Sequence, residues 1–129
     1  MTDRLPPRPT DAELSILRVL WRRGPSTVRD VHDDVSRESS TGYTTILKLL
    51  QIMTEKGLVV RDERQRAHVY EPAYGQQKTQ RQLLTDLVDR AFDGSAAQLV
   101  VQALSGCKTS AAELEEIRRL LDAMEGVSK

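Results

Sequence analysis

A predicted helix over residues 43–56, YTTILKLLQIMTEK, has a polar stripe opposite its apolar face. At about 100° per residue, Thr44, Lys48 and Gln51 fall on one side. The apolar residues fall on the other side and form the expected core face: Ile46, Leu49, Leu50 and Met53. Hydroxyl, ammonium and amide groups can bond phosphates and base edges, whereas carboxylates would be repelled there. The stripe therefore suits insertion into the DNA major groove, although a plain solvated helix face would look similar.

A basic turn follows this helix. Residues 58–62 and 67–71 are expected to be two strands of a hairpin, joined by a turn at residues 63–66. The basic side chains in and beside the turn are Arg61, Arg64, Arg66 and His68. Most basic turns are merely solvated. Behind a polar helix stripe, however, this turn suits a wing that touches the DNA backbone.

The elements before the stripe complete a recognisable order. Thr10 and Glu13 form the pattern of a capping box that opens a first helix, which is expected to end at Gly24. Ser26 is expected to cap a second helix, and Gly57 to end the third in a left-handed conformation. Three helices followed by a two-stranded hairpin is the order of a winged helix-turn-helix.

Only helical patterns follow the hairpin. Gly94 is expected to end a fourth helix, Ser95 to cap a fifth that breaks at residues 105–106, and Ser110 with Glu113 to open a sixth. So much apolar edge is not expected to be buried within a monomeric tail, and it indicates a homodimer. The residues assigned to the dimer contact are Leu83, Leu84, Leu87, Val88, Leu99, Leu114, Ile117, Leu120, Leu121 and Met124.

These patterns predict a mainly α protein with a small β-hairpin wing. Residues 1–9 are expected to be an extended arm, since they are rich in proline. Its arginines, Arg4 and Arg8, could follow a minor groove, although a tail without fixed structure is the simpler expectation. Residues 10–74 form the expected winged helix, and residues 75–129 the expected helical dimerisation domain.

Composition limits the possible functions. The chain has 19 Lys and Arg residues and 19 Asp and Glu residues, so a nucleic-acid site must be a local patch. Its one cysteine, Cys107, excludes an internal disulfide and fits a reducing compartment. Residues 1–10 contain no apolar run typical of a secretory signal, and no segment approaches the roughly 20 apolar residues that span a bilayer. We therefore expect a cytoplasmic protein without membrane insertion.

No residue set indicates an enzyme. His32, His68 and Cys107 do not have metal-ligand spacing, so no metal or cofactor is expected. His32 is expected on the exposed side of the second helix. Asp33 and Asp34 are adjacent, point about 100° apart on a helix and are interpreted as plain surface. The serious alternative to a DNA-binding protein is a winged helix that binds protein partners without sequence-specific DNA recognition.

Four stretches together resemble a known family. They are PTDAELSILRVLW at 9–21, YTTILKLLQIMTEKGLVV at 43–60, AHVYEP at 67–72 and SAAELEEIRRLLDAME at 110–125. In this order they resemble the BlaI/MecI/CopY family, the penicillinase-repressor type of bacterial transcriptional regulator. The resemblance implies a homodimeric repressor whose winged helix reads a palindromic operator in double-stranded DNA and whose C-terminal helices dimerise.

The resemblance also bears on the DNA contacts. In the family a basic-Thr pair often stands near the start of the recognition helix, and Thr44 and Thr45 occupy that place here. An arginine often found late in that helix is Ile52 in this chain, so the preferred operator stays open. The residues expected to contact DNA are Thr41, Tyr43, Thr44, Thr45, Lys48, Gln51, Arg61, Arg64 and Arg66.

The resemblance further implies a way of release. Family repressors are commonly released through a membrane sensor metalloprotease that leads to cleavage in the helical domain. The Asn-Phe pair cut in some relatives corresponds to Gln102 and Ala103 here. Copper-sensing relatives have a C-terminal cysteine cluster, which Cys107 alone does not provide.

Overall fold

A computed structural model describes residues 6–126. The elements in chain order are α1 (Asp11–Arg23), β1 (Ser26–Thr27), α2 (Val28–Ser36), α3 (Tyr43–Lys56), β2 (Val59–Asp62), β3 (Val69–Pro72), α4 (Gln76–Ala91), α5 (Ala96–Gly106) and α6 (Ala111–Gly126). They divide into two compact units, the first ending at Asp86 and the second beginning at Leu87. Residues 1–5 of the expected arm, with Arg4, lie outside the described residues.

The first helix begins and ends where its sequence predicts. The Thr10 hydroxyl accepts a hydrogen bond from the Glu13 amide, and a Glu13 carboxylate oxygen accepts one from the Thr10 amide at 2.9 Å. Gly24 ends the helix with a φ of 88°, and its amide donates to the Leu20 carbonyl. The predicted capping box is confirmed.

The start of the second helix was predicted one residue too early. Thr27, not Ser26, is the N-cap, and its hydroxyl accepts from the Asp30 amide while the Asp30 carboxylate accepts from the Thr27 amide. Ser26 is buried and pairs with Tyr70 in the sheet. An acid three residues after Thr27 makes the reciprocal capping box possible there, whereas Arg29 stands three after Ser26.

The sequence predicts a two-stranded hairpin, but the structure has a three-stranded antiparallel sheet in the order β1-β3-β2. Asp62 pairs with Val69, so residues 63–68 connect the strands and β3 starts later than predicted. Tyr70, only 1% exposed, lies opposite both Ser26 and Arg61 at the centre of the sheet. The third strand places the start of α2 beside the wing.

The core of the first unit joins α1, α2, α3 and the sheet. Ile46, Leu50 and Met53 are buried and Leu49 packs partly buried against them, as the sequence predicts for α3. The other buried apolar side chains are Ile16, Leu17, Val19, Leu20, Val28, Val31, Val35, Leu58, Val59 and Tyr70. The predicted fold class, mainly α with a small β wing, is confirmed.

One acidic side chain lies in an unexpected place. Asp34 was expected on plain surface, but it is 8% exposed. Its carboxylate lies 3.4 Å from Arg23 and 3.7 Å from Arg22 of α1, and 3.9 Å from Arg37. A buried carboxylate requires such charged partners, so Asp34 ties α2 to the end of α1. Asp33 is exposed, as predicted.

The arm and α4 contribute to the first unit. Residues 6–10 have no regular secondary structure, and Arg8 lies 3.8 Å from Asp86 of α4. The Trp21 indole donates a hydrogen bond to the Tyr74 carbonyl at 3.1 Å. Thr79 of α4 is buried.

The remaining helices are well capped but poorly covered. Ser95 caps α5, and Ser110 with Glu113 forms the predicted capping box of α6. The predicted break at residues 105–106 was wrong, because α5 runs through Gly106 and Cys107 is its C-cap. No described residue of α5 or α6 is buried.

Candidate nucleic-acid interface

The C-terminal end of α3 is fixed from two directions. Lys56 in its last turn places Nζ 2.9 and 2.8 Å from the two carboxylate oxygens of Glu13. Gly57, at φ 85°, then turns the chain, and the Leu58 amide donates to the Met53 carbonyl at 2.9 Å. A left-handed glycine of this kind ends a helix without steric strain. These contacts set which face of α3 points outward.

The outward face of α3 is the predicted polar stripe. Thr44, Lys48 and Gln51 are exposed, as is Thr45 at the flank. Lys48 has no ion pair or hydrogen bond within the part of the chain that the structure describes. A solvated, unpaired lysine between small hydroxyl and amide groups can approach phosphates and base edges without first breaking a contact.

The N-terminus of α3 lacks a side-chain cap. Gly42 is the N-cap and provides no acceptor for the first amides. Thr41, expected to contact DNA, lies before the helix and is half-buried, with its hydroxyl 2.8 Å from that of Ser39. Uncapped amides at a helix N-terminus favour an anion such as phosphate.

An aromatic side chain at the same end makes contacts that the sequence did not reveal. Tyr43, 43% exposed, has the Arg29 guanidinium carbon 5.5 Å from its ring centroid. The His32 ring meets it edge-on, with centroids 5.9 Å apart. Arg29 and His32 lie one turn apart on α2. His32 was expected to be exposed, but it is half-buried. Only the angle between α2 and α3 brings these three residues together.

The wing is less available to phosphate than its sequence indicates. Arg64 lies 2.7 Å from Asp62, and Arg61 lies 2.7 Å from Glu63. Hydrogen bonds from the Arg64 side chain and amide lower the pKa of Asp62 to about 2, because they stabilise the charged carboxylate. Arg66 has no hydrogen bond or ion pair within the described ranges. Two of the three wing arginines expected to contact DNA, Arg61 and Arg64, are therefore paired with acidic neighbours in the described structure.

A cleft of about 270 Å³ separates the wing from the helices. Arg29 and Tyr43 lie on its helical side, and Arg66 and His68 on its wing side. The remaining lining residues are Thr27, Val28, Leu47, Ala67 and Tyr70. No carboxylate is among the described residues that line it, so the cleft favours an anion.

The described residues contain neither a cluster of metal ligands nor a helix that could span a membrane. In residues 6–126 no group of three or more His, Cys, Asp and Glu side chains is placed to hold a metal ion. No helix in that range has the length and apolar character to cross a membrane.

Comparison with known proteins identifies the family. The family model described as "Penicillinase repressor" matches residues 9–123. The chain belongs to the penicillinase repressor family. The resemblance stated from its motifs is therefore confirmed. The transcriptional regulator BlaI of Mycobacterium tuberculosis (strain CDC 1551 / Oshkosh) is 32% identical over 116 residues, which cover 89% of this chain and 83% of that protein.

Other family members are similar in sequence and structure. The penicillinase repressor of Bacillus licheniformis is 23% identical over 116 residues, covering 90% of this chain and 91% of that protein. The DNA-binding domain of the repressor BlaI has a TM-score of 0.51 at 25% identity, covering 60% of this chain and 93% of that one. Monomeric BlaI of Bacillus licheniformis, solved with the blaP half-operator, has a TM-score of 0.50 at 26% identity, covering 57% and 89%.

Proposed function

We propose that this member of the penicillinase repressor family is a cytoplasmic transcriptional repressor that binds a palindromic operator as a homodimer. In each subunit α3 enters the major groove and residues 63–68 of the wing lie along the flanking backbone. The two α3 helices of the dimer lie about 34 Å apart, or a multiple of it, so that they meet successive turns of DNA. Occupation of promoter DNA then blocks transcription.

The exposed stripe of α3 is the observation on which this proposal depends. Lys48 and Gln51 are exposed on the outer face, while Leu50 and Met53 are buried on the inner face. BlaI, whose monomer was solved with a half-operator, has a similar winged helix. A recognition helix must leave its reading face open in this way.

The dimer rests on the uncovered apolar side chains of the helices after the wing. Leu84, Leu87, Leu120, Leu121 and Met124 are 47–65% exposed, and the other assigned contact residues are only half-buried. Val100, Val101 and Leu104 of α5 are also exposed, a set that the sequence assignment omitted. Burial of this apolar surface against a second copy would stabilise the dimer by about 25 cal/mol for each Å² removed from water.

Release from DNA is proposed to follow a signal, such as proteolysis downstream of a membrane sensor metalloprotease. Gln102 and Ala103, at the place cut in some relatives, are exposed in the middle of α5. A protease needs extended backbone, so cleavage there requires local unfolding of α5. The absence of buried residues in the described part of α5 lowers the cost of that opening.

A protein-binding winged helix is the alternative, and the paired wing arginines give it some weight. Because Arg61 and Arg64 are neutralised by neighbours, each subunit offers fewer free cations than its sequence indicates. Among the described residues around α3, the cationic side chains without an ion pair are Lys48, Arg66 and Arg29. Binding to DNA should therefore show a modest but distinct salt dependence, with a slope of about −0.9 per phosphate contact.

Selection of bound fragments from the host genome tests the proposal. We expect enrichment of a two-fold symmetric site in promoter DNA. Lys48→Ala should weaken binding to that site roughly tenfold or more, because a lysine contact is lost. Lys108→Ala, an equal loss of charge at an exposed residue outside the interface, should bind like wild type. No enriched site, with equal affinity of both variants for any duplex, would favour the protein-binding alternative.

A further inference from the structure

We propose that Arg29 of α2 is a DNA-phosphate contact and that the ring of Tyr43 is the surface that holds its guanidinium in position. This inference rests on the proposed function, because the ligand is the backbone of the same duplex. It adds an arginine outside the recognition helix and the wing. It also assigns Tyr43 a role through its ring and not through its hydroxyl.

The geometry of the ring supports the positioning role. Tyr43 is the first residue of α3, and the Arg29 guanidinium carbon lies 5.5 Å from its ring centroid. His32, one turn along α2, lies against the same ring. An arginine stacked on an aromatic face keeps its N–H groups free around its edge, where they can donate to an anion. The ring thus restricts the guanidinium without using its donors.

The surroundings of Arg29 favour phosphate over other ligands. Arg29 has no ion pair within residues 6–126, although most arginines of the first unit have one. It lines the cleft between helices and wing together with Arg66 and His68, and no described lining residue is a carboxylate. Arg29 from α2 and Arg66 from the wing can therefore bind one phosphate, or two adjacent ones, from opposite sides.

The position of the cleft connects it to DNA. Its helical side includes Tyr43 and Leu47 of α3, so the cleft runs beside the start of the helix whose outer face has Thr44 and Lys48. A duplex seated on that face must pass its backbone near this end of α3. Arg29 would then fix the register of the duplex without reading a base.

Four variants distinguish the contribution of the Tyr43 ring to DNA binding from that of its hydroxyl. Binding of each is measured by fluorescence anisotropy against a labelled duplex selected by the wild-type protein, and against a scrambled duplex of the same length, over a range of salt. Arg29→Ala should bind both duplexes roughly fivefold more weakly at low salt and reduce the salt slope by about 0.9 per subunit. Tyr43→Leu should reproduce most of this loss. Tyr43→Phe should bind nearly like wild type, because it keeps the ring. Arg29→Lys should retain the slope but weaken binding.

The double variant Arg29→Ala with Tyr43→Leu should bind DNA no more weakly than Arg29→Ala alone, because the Tyr43 ring acts only by positioning the Arg29 guanidinium, which is already absent. Arg18→Ala is the matched control: Arg18 is an exposed arginine of α1 that does not line the cleft. Circular dichroism and thermal melts identify any variant that unfolds. If Tyr43→Leu destabilises the fold, Tyr43→Phe and Arg29→Lys still test the proposal.

Each result decides the inference. An unchanged salt slope in Arg29→Ala, with wild-type binding intact, overturns it while the proposed function stands. A Tyr43→Phe variant as weak as Tyr43→Leu overturns the ring assignment and indicates a hydroxyl contact. A loss confined to the selected duplex would make Arg29 a base-reading residue and contradict the phosphate contact. Failure of wild type to bind any duplex would remove the proposed function and this inference together.

Discussion

Lys56 Nζ lies 2.8 Å from Oε2 of Glu13, and this ion pair joins the last turn of α3 to the first turn of α1. Glu13 is 2% exposed, whereas the Lys56 side chain is 38% exposed. The same carboxylate accepts the Thr10 amide and so caps α1. One buried acid therefore both starts α1 and holds the end of the candidate recognition helix.

Replacing this acid should destabilise the first unit. Glu13→Gln keeps the shape and can still accept from Thr10, but it leaves Lys56 without its counter-charge. We expect a loss of about 1–3 kcal/mol in the free energy of unfolding, measured by urea denaturation. Glu115→Gln, which removes an exposed ion pair with Arg118, should change the same quantity by less than about 0.5 kcal/mol. Equal effects of the two variants would mean that Glu13 contributes no more than a surface pair.

The stability of the protein should also depend on the protonation of Glu13. Burial alone raises the pKa of Glu13, but hydrogen bonds from Lys56 and Thr10 and the Lys56 charge lower it below its ordinary value of 4.5. Because the folded pKa is the lower one, this stabilisation is complete above about pH 4.5 and is lost as pH falls through the folded pKa.

The difference between wild type and Glu13→Gln isolates this effect from other carboxylates with lowered pKa, such as Asp30. We therefore expect the urea midpoints of wild type and Glu13→Gln to be far apart at pH 7 and to converge near pH 3. A gap that stays constant across this range would contradict a charged Glu13 in the folded state.

Releasing a wing arginine should strengthen DNA binding. Asp62 holds the Arg64 side chain with three hydrogen bonds, the shortest 2.7 Å long. Asp62→Asn removes the negative charge, so Arg64 becomes free to neutralise a phosphate. The salt slope of duplex binding should become steeper by about 0.9 per subunit.

Arg64→Ala placed in the Asp62→Asn background provides the control, since it should abolish that gain. A steeper slope that persists in the double variant would instead reflect the lost carboxylate charge alone. No change in either variant would mean that the wing lies away from the DNA backbone.

A charge on the apolar edge of α6 should separate the proposed dimer. Leu120 is 61% exposed, and burying such a side chain contributes about 1.5–3 kcal/mol. Leu120→Asp occurs twice in a dimer, so self-association should weaken by roughly a hundredfold or more. Binding to the palindrome should collapse, because two linked half-sites are lost, while weak half-site binding should remain.

Sedimentation velocity measures this change, and Arg119→Asp supplies the control. It introduces the same side chain about 100° around α6 from Leu120 and away from the apolar edge, where the sedimentation profile should stay that of wild type. A Leu120→Asp protein that sediments as an unaltered dimer would exclude this edge from the contact.

Local signals explain what the sequence predicted well. The starts of α1, α5 and α6 depend on a hydroxyl and the amides or acid within three residues of it, so Thr10, Ser95 and Ser110 were identified correctly. The left-handed Gly57 and the division of α3 into an apolar and a polar face are equally local, because the first needs only a glycine after the helix and the second only helical periodicity. Thr27 obeys the same rule with Asp30 as its reciprocal acid, so the correct cap was also a local signal, although the sequence prediction was Ser26.

The sequence by itself determined the helices, the polar stripe and the family, since each depends on residues close together in the chain or on their linear pattern. Only the tertiary structure decided that Ser26 and Thr27 add a strand, that Lys56 meets Glu13 43 residues away, and that Arg29 rests on Tyr43. These contacts depend on the packing angles of α1, α2 and α3, which no local spacing specifies. The pairing of Arg64 with Asp62 is short in sequence, yet it too required the turn after β2, in which the Asp62 carboxylate accepts from both the amide and the side chain of Arg64.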